Sequence, residues 1–195
     1  MLRFILLVCL VGSCSVQVNG QVEKNTWLIG GDVAFSSTRQ RSEASAGLTI
    51  NSFKMVPAIG YFVIDQLAAG LKLGYSNILN RQSADHSNRN VIYSAGPFVR
   101  YYFLPASSPY NILINGECMY NLMRFTGRYP YPDNAVSRSK AHSTAFAFDA
   151  GTVVFLNNVI GLELLMGYHR EQHNQLYVGT LQATIGLQVY IGRNE

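Results

Sequence analysis

The 195-residue sequence contains few charged residues, and they do not form any basic or acidic run. Charged residues make up 13% of the chain, and the formal net charge is +4. Proteins that bind nucleic acid concentrate lysine and arginine on one face or along one segment. The sequence therefore gives no reason to expect a nucleic-acid partner.

Long apolar runs are missing after the first twenty residues. A membrane-spanning helix needs about 20 consecutive apolar residues, and the mean hydropathy of +0.09 is too low for a bundle of such helices. Hydrophobic residues nevertheless make up 48% of the chain, which is rich for a soluble protein. The twelve tyrosines, ten phenylalanines and seventeen glycines suit a chain of many strands and turns.

The N-terminal segment has the parts of a secretory signal peptide. Arg3 supplies a positive charge, residues 4–11 form a short apolar stretch, and the small residues Val18 and Gly20 precede Gln21. We therefore predict that residues 1–20 are a cleaved signal peptide and that residues 21–195 form one domain.

Cysteine is scarce, and two of the three cysteines lie in this leader. Removing Cys9 and Cys14 leaves Cys118 alone, so that no intramolecular disulfide is expected despite the oxidising destination. Cys14 follows a poor lipobox-like string at 11–13, and processing as a lipoprotein stays open as an alternative.

The sequence instead alternates apolar residues with small or charged ones at every second position, most clearly over residues 53–75. A tight break at Asp65-Gln66 divides this stretch, which predicts two antiparallel strands joined by a short turn. One face is apolar throughout, and the other is small or charged, too thin to form the core of a soluble sandwich. A face that is apolar over the full length of both strands is favourable on the outside of a barrel, where it contacts lipid. The apolar face carries Phe53, Met55, Pro57, Ile59, Tyr61, Leu67, Ala69, Leu71, Leu73 and Tyr75.

The same alternation recurs along the chain and predicts eight strands. The fold class is therefore all-β, an eight-stranded antiparallel up-and-down transmembrane β-barrel, since a closed single-chain barrel of this kind has an even number of strands. The predicted strands are 26–37, the two halves of 53–75, 91–104, 111–122, 142–156, 159–168 and 177–191.

The connections alternate between long polar and short segments. Long loops are predicted near 38–47, 81–90, 126–141 and 169–176, and short turns at 65–66, 105–110 and 157–158. In barrels of this type the long loops face the cell exterior, and the short turns and both termini face the periplasm. Aromatic residues collect at two levels, as two membrane interfaces require: Trp27, Tyr61, Tyr101 and Phe103 toward the short turns, and Phe35, Tyr75, Tyr120 and Tyr168 toward the long loops.

Charged residues on the inward side of the strands are the clearest candidate site. An eight-stranded barrel is just wide enough to be filled by its own side chains, and an unpaired buried charge is costly. We expect an ion-paired plug rather than a gated ion path, with Arg100 and Glu117 as a pair because their strands are neighbours. The cluster comprises Asp32, Lys54, Lys72, Arg100, Glu117, Asp149 and Glu163.

The histidines do not define a catalytic or metal site. His86, His142, His169 and His173 all fall on the long-loop side, and they are expected to be solvated loop residues. A Ser/His/acid set could use His86 or His169, but such sets are recognised by geometry and not by sequence. Further ligands for a metal at His169 and His173 are not evident. No catalytic residue, metal or cofactor is therefore predicted.

The predicted loop 126–141 is the best candidate for contact with the surroundings. Its mixture of basic and aromatic side chains could meet anionic head groups or sugars, although a merely solvated loop explains it too. Binding residues concentrate in loops carried by a rigid scaffold. The residues concerned are Arg128, Tyr129, Tyr131, Arg138 and Lys140.

Two strings and the leader carry a family resemblance. The strings GPFVRYYF at 96–103 and GYFVIDQLAAGLKLGY at 60–75 resemble the "outer membrane protein β-barrel" family of Gram-negative bacteria. Relatives of that family are eight-stranded barrels of the OmpA/OmpX type. The last strand also resembles the signal that outer-membrane assembly machinery reads, through Thr184, Gly186, Val189 and Ile191.

The resemblance implies a monomer in the bacterial outer membrane, with membrane lipids and the assembly machinery as partners. The leading hypothesis is a non-enzymatic protein, structural or binding an unknown extracellular ligand or surface through its loops. Two alternatives stay open: a lipid-modifying enzyme that transfers or removes acyl chains, and a narrow pore.

Overall fold

The computed structural model describes residues 22–42, 45–81, 87–128, 136–173 and 176–192. The predicted signal peptide at 1–20 lies outside the described residues, as does the alternative lipidation site Cys14. No helix long and apolar enough to cross a membrane occurs in the described part of the chain.

The described residues form eight strands that close into one antiparallel barrel, each strand pairing with its neighbours in sequence order. This confirms the predicted fold class. The strands are β1 (Trp27–Ser42), β2 (Ser45–Ile64), β3 (Leu67–Arg81), β4 (Ser87–Tyr102), β5 (Tyr110–Arg128), β6 (Val136–Phe155), β7 (Ile160–His173) and β8 (Leu176–Ile191).

Alternation of side chains decides which face of each strand points outward. On β1, Val33 and Phe35 are exposed on the outer surface, whereas Leu28 is buried inside. On β3, Leu71 and Leu73 are likewise exposed, and Lys72 between them is buried. Because the period is two, one face of the sheet becomes an apolar outer surface and the other encloses the polar and charged residues.

Two levels of aromatic residues bound the apolar surface. Trp27 lies opposite Tyr61 with 5.0 Å between ring centroids, and eight residues further along the same strands Phe35 lies opposite Phe53. Eight residues span about 26 Å of strand, or about 20 Å once the strands are tilted. The apolar belt between these levels is thus comparable in height to the hydrocarbon core that such barrels cross.

The strands are longer than predicted, and the four predicted long loops are mostly strand. The described parts of 38–47, 81–90, 126–141 and 169–176 continue the ladders on the loop side of the belt. Those residues are polar, but outside lipid a polar side chain can face water on either side of a strand without breaking its backbone hydrogen bonds. Polarity was a wrong guide to where the strands end.

The other end of the barrel carries the short connections and a folded N-terminal segment. Connections at 65–66, 103–109 and 156–159 join the strands there. The backbone carbonyl of Val22 accepts a hydrogen bond from the amide of Gln66 at 2.8 Å, and the amide of Asn25 donates to the carbonyl of Phe62 at 3.0 Å. Val22 is buried against the core, so this segment helps close the short-turn end.

The seam between the first and last strands is the shortest ladder in the barrel. β1 and β8 pair from Trp27 opposite Ile191 to Asp32 opposite Gly186. Beyond that row β1 continues as the partner of β2, and β8 continues as the partner of β7, but the two do not pair with each other.

Candidate functional site

The half of the lumen nearest the short turns is filled by a buried ion pair and two tyrosines. Nη1 of Arg100 on β4 lies 2.6 Å from Oε1 of Glu163 on β7, and the two side chains are 3% and 1% exposed. The other carboxylate oxygen of Glu163 accepts a hydrogen bond from the amide of Gln188 at 3.1 Å. The hydroxyls of Tyr102 and Tyr190 are hydrogen-bonded to each other at 3.1 Å beside this pair.

Aromatic side chains complete this plug. Phe62 packs against Tyr102 with ring centroids 5.5 Å apart, and the guanidinium of Arg100 lies 5.7 Å from the ring centroid of Phe98. Glycines make room for Phe98, since a Cβ at Gly60 or Gly70 would stand 2.9 or 2.8 Å from its ring atoms. The plug is thus closely packed.

The predicted pair of Arg100 with Glu117 is wrong. In the register of β4 and β5, Phe98 lies opposite Glu117 and Arg100 lies opposite Asn115. On these adjacent strands Arg100 and Glu117 are offset by one inward position. Arg100 instead reaches across the lumen to β7, and Glu117 reaches past β4 to β3. Glu117 forms its ion pair with Lys72 of β3, and these side chains are 12% and 8% exposed.

The half of the lumen nearest the loops contains a cavity of about 280 Å³ with charged and polar side chains in its lining, which we call the vestibule. Nε2 of His169 lies 2.9 Å from Oδ1 of Asp149, and the amide of Asn115 donates to the other oxygen of Asp149 at 3.0 Å. Glu171 accepts hydrogen bonds from Ser143 on the neighbouring strand β6 and from Asn121 on β5. His169 is therefore inside the barrel and not a loop residue, because the strand β7 extends past it.

All seven residues of the predicted charge cluster lie inside the barrel, but in two separate groups. Arg100 and Glu163 belong to the plug. The other five line the vestibule or border it, and two of these, Asp32 and Lys54, have neither a salt bridge nor a side-chain hydrogen bond among the described residues. Sequence periodicity identified the inward face but could not tell at which height each charge lies.

The described residues of the vestibule show neither a serine–histidine hydrogen bond nor a group of metal ligands. No hydroxyl of the described residues is hydrogen-bonded to His169, although a serine nucleophile needs such a base. The described residues also contain no group of three or more His, Cys, Asp or Glu side chains able to hold a metal ion. His142 faces outward and stacks on Tyr120 at 6.2 Å, and His86 lies outside the described residues.

The outer surface on the loop side of the belt is basic. Every described acidic residue of the strands points into the lumen, and the acids Glu23 and Asp65 lie at the opposite end. No acidic side chain of the described residues therefore faces outward near the loops, where six cations are exposed. These are Arg81, Arg89, Arg124, Arg138, Lys140 and Arg170, and we call them the outer basic surface.

The densest part of this surface lies on β4, β5 and β6. Arg124 lies directly opposite Lys140, a like-charged cross-strand pair that destabilises a sheet by itself. The guanidinium of Arg124 also lies 5.7 Å from the ring centroid of Tyr93. Sequence reading missed Arg124 because its strand appeared to end at 122, whereas alternation continued to 128 would have found it.

The structure corrects part of the prediction that residues 126–141 form a contact loop. Arg138 and Lys140 lie on strand β6 and not in a loop, since they continue the ladder with Thr126 and Arg124. Arg128 is the last residue of β5. Tyr129 and Tyr131 lie outside the described residues.

Among solved structures, the chain is similar to Neisserial surface protein A (NspA), at 16% identity over 84% of this chain and 96% of that chain, with a TM-score of 0.50. The N-terminal β-barrel domain of Pseudomonas aeruginosa OprF matches at 14% identity over 86% and 98%, with a TM-score of 0.40. Ail, the attachment invasion locus protein of Yersinia pestis, matches at 11% identity over 87% and 99%, with a TM-score of 0.45. No family model matches the chain, and no curated protein does. The likeness to NspA shows the barrel fold alone.

Proposed function

We propose that the protein is an integral outer-membrane barrel without enzymatic activity, which presents its outer basic surface and loops to anionic groups at the cell surface. The observation that carries this proposal is the combination of an apolar belt with six exposed cations on one side of it. An apolar outer face is favourable only in lipid, and cations just beyond it attract phosphate and carboxylate groups.

Two features of the lumen favour a structural barrel over the alternatives. In the plug, the side chains of Arg100 and Glu163 are paired and almost inaccessible to solvent, which weighs against a pore. His169 is engaged by Asp149 and has no hydroxyl partner among the described residues, which weighs against an acyl-transferring or deacylating enzyme.

The proposed partners follow from the surfaces. Membrane lipids would contact the apolar belt, and the assembly machinery would recognise β8, whose Gly186 and Val189 fit the resemblance noted above. The protein is proposed to act as a monomer, since the closed barrel needs no second chain to complete its fold.

Membrane location is tested by fractionation and by gel mobility. Because a closed barrel satisfies its backbone hydrogen bonds internally, the unboiled protein should migrate differently from the boiled protein and should be recovered in the outer-membrane fraction. Identical mobility together with recovery in the soluble periplasm would refute the membrane proposal.

Orientation is tested with epitope tags at the two ends of the barrel. A tag inserted at Asn134, between β5 and β6, should be detected on intact cells, and a tag at Ser107, between β4 and β5, should not. Labelling in the reverse order would contradict the proposed exposure of the loop end.

Binding by the outer basic surface is tested with the sulfated polysaccharide heparin as the anionic probe. Arg124→Gln combined with Lys140→Gln should weaken capture by about tenfold at low salt, because two clustered cations are lost. Lys24, a cation at the opposite end, provides the control Lys24→Gln. Equal capture by all variants would show that the surface is only solvated.

A further inference from the structure

The seam between β1 and β8 is open on the loop side, although both strands are long enough to close it. If the register of Asp32 opposite Gly186 continued, Ser42 would lie opposite Leu176, the residues at the far ends of both strands. The pairing stops instead, one row after Gly31, whose φ of +149° favours glycine and departs from the ordinary strand conformation.

The opening begins inside the apolar belt. Phe35 marks the loop-side aromatic level, and the unpaired edge of β1 starts two residues before it, at Val33. The apolar side chains along the two edges are among the most exposed of the molecule, with Phe35 at 73% and Leu181 at 80%. Unpaired strand edges are tolerated at membrane depth only where they line a polar cavity or are covered.

The vestibule, with charged and polar side chains in its lining, lies beside the unpaired part of β8. β8 lines the vestibule with Val178, Thr180, Gln182 and Thr184, which are the inward residues of its unpaired part. The vestibule volume of about 280 Å³ is close to the lower end of the range for ordinary ligand pockets. The unpaired part of β8 is therefore one wall of a compartment large enough for a small polar group.

Two opposite charges beside the opening have no salt bridge and no side-chain hydrogen bond among the described residues. Asp32 is in the last paired row of β1, and Lys54 on β2 lies opposite Ala34, the second residue of the unpaired edge. Both point into the vestibule, at diagonal positions about 7–8 Å apart. They do not form a salt bridge with each other or with any other described residue, unlike Lys72 and Asp149 nearby.

We propose that the vestibule binds the head group of a zwitterionic phospholipid with a primary amine, which enters sideways from the membrane between β1 and β8. Its ammonium group donates to the carboxylate of Asp32, and its phosphate accepts from the ammonium of Lys54. The acyl chains stay outside against Val33, Phe35 and Leu181, where they cover the apolar edges. This proposal rests on the proposed membrane location.

The test counts lipids retained by the full mature chain in nanodiscs of phosphatidylethanolamine and phosphatidylglycerol with the same acyl chains. Native mass spectrometry should detect one phosphatidylethanolamine molecule bound per chain. The fraction of bound lipid that is phosphatidylethanolamine should exceed its fraction in the bilayer. Asp32→Asn or Lys54→Gln should each reduce this retention by about tenfold, because each removes one charge-assisted hydrogen bond. Lys54→Arg should keep it.

Two controls match these changes in chemistry but lie elsewhere. Asp65→Asn removes an acid at the short-turn end, and Lys24→Gln removes a cation at the same end. Both should retain the lipid as the unchanged protein does. Equal retention of the two lipids, or no loss in Asp32→Asn and Lys54→Gln, overturns the proposal. Detection of a lipid-free dimer would also overturn the proposal. It would mean that the unpaired edges of β1 and β8 pair with a second copy of the chain.

The sideways path has its own test. Ala34 and Thr184 would be opposite each other if the seam closed, so Ala34→Cys with Thr184→Cys, in a Cys118→Ser background, can lock it by a disulfide. The oxidised variant should lose the lipid and the reduced one should keep it. Retention in the oxidised variant would mean that the head group enters from the loop end. A protein that fails to insert into bilayers would refute the membrane location as well, whereas insertion without retention refutes this inference alone.

Discussion

The two halves of the lumen are built from the same strands, yet one is packed and the other is hollow. The plug uses large side chains and nearly inaccessible charges, Arg100 with Glu163 between Tyr102 and Tyr190. The vestibule uses small or short residues such as Gly74, Ser94 and Ala145, and its charges remain in contact with a cavity. In a barrel of fixed width, residue size along the inward face thus decides which height is sealed and which can hold a ligand.

The largest expected difference between the two halves is in how much their ion pairs contribute to the free energy of unfolding. Glu163→Gln leaves the Arg100 guanidinium buried without a counter-charge, and we expect a loss of about 3–5 kcal/mol in the free energy of unfolding. Urea unfolding in detergent, followed by gel mobility of the folded form, measures it. Adding Arg100→Met should recover part of the loss, and a double variant as unstable as the sum of both singles would show that the two residues are not coupled.

Side-chain packing should also make the plug more sensitive to substitution than the vestibule. Ala68 is fully buried in the plug, opposite Phe62 on β2 and Arg100 on β4. Ala68→Leu adds three carbon atoms to a filled space, and we expect a loss of about 1–3 kcal/mol from overpacking. Unchanged urea resistance of this variant would mean that the plug has room to rearrange, and the contrast between the halves would be weaker than described.

The ion pair beside the vestibule should contribute less than the one in the plug. Glu117→Gln removes the counter-charge of Lys72, but water in the cavity can solvate the ammonium that remains. We expect a loss of about 1–2 kcal/mol, between the values for exposed and for fully buried pairs. The same urea titration compares it with Glu163→Gln, the identical substitution in the plug. Equal losses at the two sites would show that the vestibule is as dry as the plug.

The sequence predicted the fold well because the alternation of outward apolar and inward polar side chains is a local property of each strand. Alternation over residues such as Leu71, Lys72 and Leu73 separates the outer from the inner face, whatever the rest of the chain does. Strand ends on the loop side were not predictable in this way. Ladders there continue through polar residues such as Arg124 and Lys140, and nothing local stops them.

The candidate sites depended on relations between distant strands. Arg100 reaches Glu163 across the lumen, 63 positions along the chain, whereas sequence reasoning could only pair it with a residue of the next strand. The open seam depends on how β1 and β8 meet after the barrel closes. Neither alternation nor composition carries that information, since both strands have the pattern of fully paired strands.

The smallest effect is expected from enlarging a side chain in the vestibule. Ala145 lines the cavity opposite Met119 on β5 and Glu171 on β7. Ala145→Leu has the same added volume as Ala68→Leu, but here the new carbons enter open space, and the free energy of unfolding should change by less than about 0.5 kcal/mol. Unfolding in urea measures the two alanine variants side by side. A loss at Ala145 as large as that at Ala68 would mean that the vestibule walls collapse inward in solution. A stable protein would instead confirm a rigid cavity that can accept a ligand without first being opened.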